Sequence, residues 1–147
     1  MARGPRFAWV APMAIFAVAF ALAGCTSGPA DPAHVQVRAE WQVTEPLGHA
    51  DLLVRLWNDG GSSAIVGPGG HDLQVRGPTS VIPVDWGGSS GRTLAPGDAL
   101  AVSFHPGLAE DGTLAFFLDH SQGVHVAPVP GPYEVCSEDT CSRTQWP

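Results

Sequence analysis

From residue 34 onward, apolar and polar side chains alternate. Val35, Val37, Ala39, Trp41 and Val43 are separated by Gln36, Arg38, Glu40 and Gln42, the period of two of a half-buried strand. Asp51 to Trp57 repeats the pattern with Leu52, Val54 and Leu56 on one face. It ends at Asn58-Asp59-Gly60-Gly61, which predicts a tight turn with positive φ. Further short strands are predicted at Ala64–Val66, at Leu73 and Val75, and at Val81 to Trp86, where Pro83 marks an edge or a bulge. The turn Leu94-Ala95-Pro96-Gly97-Asp98 leads into Ala99 to Phe104, and Thr113 to Leu118 and Gly123 to Val129 close the series. About eight short strands (7–8) separated by Gly/Pro turns predict an all-β antiparallel sandwich. Residues 131–147 read as a polar, irregular tail.

The amino terminus follows a different rule. Arg3 and Arg6 precede an uncharged run from Phe7 to Ala23, and small residues follow it. Positive, then apolar, then small is the layout of a secretory signal. As a helix the run would span roughly 26 Å, somewhat less than the bilayer core of about 30 Å. Its ending, Leu22-Ala23-Gly24-Cys25, resembles the lipobox of prokaryotic lipoproteins at all four positions. The resemblance implies a signal-peptide helix over 1–24, recognition of Leu22, Ala23 and Gly24 by signal peptidase II, and a diacylglycerol group on the thiol of Cys25. It places the mature protein outside the cell, held to the cell membrane or outer membrane by lipid. In a cell with two membranes, Thr26 after the cysteine resembles outer-membrane sorting.

Cysteine usage fits that address. With Cys25 assigned to lipid, Cys136 and Cys141 remain as an even pair, and an oxidising compartment lets them close a small ring. A zinc site on the same pair needs further convergent ligands that the local sequence lacks. The expected organisation is a signal peptide at 1–24, a lipidated tether at 25–33, a sandwich domain at 34–131 and a disulfide-clasped tail at 132–147.

Within the domain, Leu52-Leu53-Val54-Arg55-Leu56-Trp57-Asn58-Asp59-Gly60-Gly61 and Leu94-Ala95-Pro96-Gly97-Asp98 resemble the strand and turn pieces of immunoglobulin-like or fibronectin-III-like modules of prokaryotic cell surfaces. The resemblance implies a small immunoglobulin-like sandwich without the paired core cysteines of antibodies. Trp41 or Trp57 is expected at its centre.

Charge narrows the partners. The chain has seven arginines, no lysine and fourteen acids, a balance that disfavours nucleic acid. Removing Arg3 and Arg6 makes the mature chain more acidic still, which favours solubility over lipid-surface attraction. Gly87-Gly88-Ser89-Ser90-Gly91 matches G-x-S-x-G, yet Arg92-Thr93-Leu94-Ala95-Pro96 cannot open the helix that this motif needs. Asp119-His120-Ser121 offers triad residue types, but neighbours along a strand diverge. Six histidines (His34, His49, His71, His105, His120 and His125) raise the question of metal. His120 and His125, five apart, are expected on opposite faces of a strand, and a site shared with Asp119 is the remaining option. The mature chain lacks methionine, the soft ligand of many copper sites. The sequence therefore predicts no catalytic residue, no cofactor and no metal. It predicts a non-catalytic binding or structural module of the envelope, whose partner is an envelope protein or a glycan met by loops 67–71 and 85–92. The alternative is a metal-handling lipoprotein (zinc or copper) using histidines.

Overall fold

The computed structural model describes residues 31–44 and 49–147. The expected signal peptide, the expected cleavage positions and Cys25 lie outside the described residues. Among the described residues, twelve strands follow in order: β1 (Val35–Thr44), β2 (His49–Asn58), β3 (Ala64–Val66), β4 (Gln74–Arg76), β5 (Val81–Ile82), β6 (Val84–Asp85), β7 (Arg92–Leu94), β8 (Ala99–Leu108), β9 (Leu114–Phe117), β10 (Val124–His125), β11 (Gly131–Cys136) and β12 (Cys141–Trp146). The all-β class expected from the alternation is what the chain forms. Among the described residues no helix is long and apolar enough to cross a membrane.

One sheet has the order β1-β2-β8-β9-β6, with β10 also paired to β8; the other has the order β12-β11-β4-β5, and β3 pairs with β7 separately. All pairings between these strands are antiparallel except β6 with β9, and an isolated bridge of Val66 with His71 is parallel as well. The core lies between alternating faces. Val35, Val37, Leu52, Val54, Leu56 and Phe104 from the first sheet belong to one buried cluster with Val75, Ile82, Tyr133 and Val135 from the second. Tyr133 is buried, and its hydroxyl donates to the carbonyl of Val129 at 2.7 Å. A tyrosine turned back onto upstream backbone is a familiar corner device of Greek-key sandwiches.

Several local expectations are corrected. Residues 131–147 are not an irregular tail: they form β11 and β12, and β11 runs between β12 and β4 inside the second sheet. The side chains of Tyr133 and Val135 drive this, because they are the apolar half of an alternation short enough to be missed. Pro83 separates β5 from β6, since it has no N–H to donate to a ladder. Its carbonyl still accepts from Phe116 N at 2.9 Å. The expected strand from Gly123 to Val129 is confined to Val124–His125. Gly60 and Gly61 are not among the positive-φ residues. Gly60 is needed for another reason: a Cβ there would lie 2.3 Å from the Pro32 carbonyl oxygen. Trp57 is more than a third exposed, whereas Trp41 packs against Phe116, Tyr133 and Trp146. Trp86, buried edge-on to Phe104, is a core tryptophan that the sequence did not single out.

Candidate functional site

The sheet face turned away from the main core carries its own small buried layer. Along β2, Ala50, Leu52, Val54 and Leu56 point inward, so His49 and Asp51 occupy the opposite face. Leu52 pairs with Phe104 of β8, which puts His105 on the face of His49 and Asp51. Beyond Phe104 the β8 strand pairs with β9 on one side and β10 on the other: His105 opposes Phe117, and Gly107 opposes both Ala115 and His125. Gly107 leaves room for this layer, because a Cβ there would stand 3.1 Å from Phe117 and 3.2 Å from His105.

Four of the six histidines meet here. The His49 and His125 ring centroids are 4.3 Å apart, those of His105 and His125 4.7 Å, and those of His105 and His120 5.2 Å. Phe117 stacks on His105 at 5.4 Å. The segment after β9 makes the cluster by turning back. Asp119 Oδ1 accepts from the backbone N–H of Ser121 at 2.9 Å and from its hydroxyl at 2.6 Å, and Gln122 N donates to the Asp119 carbonyl. Gly123 then takes a φ of 69°, the left-handed region that favours glycine, and Val126 N donates to the Pro106 carbonyl. The expectation that His120 and His125 diverge is thereby corrected: they are not on one continuous strand.

Polar satisfaction in this layer is incomplete. His105 is 2% exposed, and neither of its ring nitrogens has a hydrogen-bond partner in the protein. His125 Nε2 and Asp51 Oδ1 are buried without partners as well, and the 4.0 Å between them exceeds hydrogen-bond reach. A polar atom buried in this way costs about 1–3 kcal/mol. Burial holds the His125 imidazole below its ordinary pKa, and repulsion from His105 and His49 acts in the same direction while Asp51 opposes it. A neutral ring is the form that ligates a metal. His120 Nε2 donates to the Ser103 carbonyl at 3.3 Å.

Other predicted positions resolve simply. Asp119, proposed as a histidine partner, is engaged by Ser121, and those bonds hold its carboxyl below the usual range. The Asp119-His120-Ser121 triplet is therefore a turn clasp and not a relay. Ser89 sits in the β6–β7 loop, where its N–H donates to the Trp86 carbonyl at 3.1 Å. Beside it, Pro68, Trp86, Asp111 and Phe117 help line a shallow cleft of about 560 Å³. His34 and His71 stand apart from the cluster. His34 pairs with Asp59, and His71 Nδ1 faces Asp139 at 3.6 Å and Glu138 at 3.8 Å. Loop 67–71 is tied into the sheet system by Gly67 N to the His71 carbonyl and His71 N to the Ile65 carbonyl.

Cys136 and Cys141 form the expected disulfide and oppose each other across the β11–β12 hairpin. Among the described residues, Glu134, Cys136 and Cys141 are the one set of three donors already within 4.8 Å of one another, but both sulfurs are bonded to each other. No three donor atoms of the histidine cluster lie that close together. The signal that sequence reading missed was Asp51, two residues from His49 and so on the same strand face. Compared with protein-family models, with curated proteins and with solved structures, the chain has no match.

Proposed function

We propose that the protein is a lipid-anchored, extracytoplasmic, non-catalytic binding or structural module of the cell envelope. The observation that carries this reading is the division of the three cysteines. Cys25 stands at the end of Leu22-Ala23-Gly24-Cys25, and the other two are joined in a disulfide, a bond that persists in oxidising compartments. Each buried CH₂ of a lipid contributes about 0.8 kcal/mol, so two or three chains on one thiol make a durable anchor. The partner is an envelope protein or a glycan, and loops 67–71 and 85–92 form the contact surface.

Intact mass of the membrane-extracted protein tests the anchor. The expected product lacks residues 1–24 and carries diacylglyceryl mass on Cys25, and Cys25→Ser releases the protein from the membrane fraction. An unmodified chain beginning at Met1, or a serine variant equally retained, overturns the proposal. A second reading, metal handling, is favoured by the cluster of His49, His105, His120 and His125.

A further inference from the structure

We infer that His49, Asp51, His105 and His125 form a binding site for one divalent transition-metal ion of zinc-like softness. The inference rests on the metal-handling reading and names its ligands. Three strands deliver the four side chains to one sheet face, and the turn at 119–123 sets His120 against His105. Both nitrogens of His105, Nε2 of His125 and Oδ1 of Asp51 are buried with no protein partner. The ring centroids of His49 and His105 lie 4.3 and 4.7 Å from that of His125, and His125 Nε2 lies 4.0 Å from Asp51 Oδ1.

The donor chemistry selects the ion. Imidazole with one carboxylate suits zinc and its first-row neighbours, whereas calcium and magnesium require a shell of oxygens. The mature chain offers no thioether for monovalent copper. Three neutral imidazoles and one carboxylate leave a bound divalent ion with a single net positive charge, in a chain with an excess of acids.

The test is a zinc titration of the full-length protein in detergent, purified without a histidine tag, against a chromophoric chelator near pH 7.5. Cobalt absorption serves as a parallel readout of coordination. One equivalent is expected, weakened roughly tenfold or more in His125→Ala and in Asp51→Asn, and unchanged in His34→Ala and His71→Ala. His125 and Asp51 are chosen because His105→Ala empties a buried position and disturbs folding; near-ultraviolet circular dichroism checks each variant. If the wild-type protein takes up neither zinc nor cobalt, the site and the metal-handling reading both fall. If it binds one equivalent that survives Asp51→Asn and His125→Ala but is lost with His34 or His71, this site is wrong and the reading stands.

Discussion

The backbone N–H of Val35 donates to Oδ2 of Asp139 at 2.8 Å, joining the first strand to the disulfide loop near the end of the chain. The contact is one of a series. Val37 N donates to Thr140 Oγ1 and Ala39 N to Ser142 Oγ, both at 3.0 Å, while the Ser137 and Thr140 hydroxyls donate to the Val35 carbonyl. Side chains of the hairpin thus cover the edge of β1 that β2 leaves free, and a covered edge does not recruit foreign strands.

Opening the ring should expose that edge. The double variant Cys136→Ser/Cys141→Ser is expected to lose about 2 kcal/mol by the chain-entropy relation for a short ring. Amide exchange should accelerate selectively at Val35, Val37 and Ala39. Unchanged protection at these three amides would show that the hairpin holds its side chains in place without the disulfide.

Asn58 is fully buried and joins two turns. Its side chain donates to the carbonyls of Ser62 at 2.7 Å and Leu94 at 3.0 Å and accepts from the N–H groups of His34 and Gly60. Its own backbone pairs with Gly97 and Asp98. Asn58→Ala strands several buried polar groups and is expected to destabilise the domain by about 3 kcal/mol, read by urea unfolding. A loss below that of an ordinary surface substitution would mean that neighbouring groups find other partners.

At Gly123 the demand is both conformational and steric. Its φ is 69°, and a Cβ would lie 2.5 Å from Phe117 Cε2. Gly123→Ala is expected to cost about 2–4 kcal/mol from left-handed backbone and overpacking together. It should also displace His125, visible as changed imidazole resonances of His105 and His125 while those of His34 stay put.

The His34–Asp59 pair carries an opposed pH signature. The hydrogen bond to Asp59 raises the His34 pKa above its ordinary 6.5. Hydrogen bonds from Gln36 and then His34 lower that of Asp59 below 3.8. The His34 contribution is complete below pH 6.5 and disappears as pH rises through the raised value. The Asp59 contribution is complete above pH 3.8 and disappears as pH falls through the lowered value. The stability difference between wild type and Asp59→Asn should therefore be greatest between these ordinary values and shrink on either side. Because both groups are exposed, the effect is small, and the sharper measurement is the His34 imidazole titration, whose midpoint should fall on Asp59→Asn.

Strands β1, β2 and β3 were legible because alternation of side-chain direction is a local property of extended backbone. The β8 strand was legible only to Phe104, and it continues to Leu108 because a change of neighbours, from β2 to β9 and β10, supplies new partners. Strands β11 and β12 were hidden by their polar residues: Arg143 pairs with Glu134 at the surface, Tyr133 and Val135 are the buried side chains, and Trp146 packs half-buried against the core. The disulfide was legible from parity, since assigning one cysteine to lipid left only one pairing.

The sequence alone determined the all-β class and the cysteine pairing, because each depends on the identity and spacing of near neighbours. Tertiary structure decided that Asn58 reaches the Leu94–Asp98 turn, that Asp139 covers β1, and that His49, Asp51, His105 and His125 share one face. Those residues come from separate strands, and no short-range periodicity specifies which strands lie side by side. Their proximity follows from burying the apolar half of each strand, which brings the opposite faces of β2, β8 and β10 into one surface.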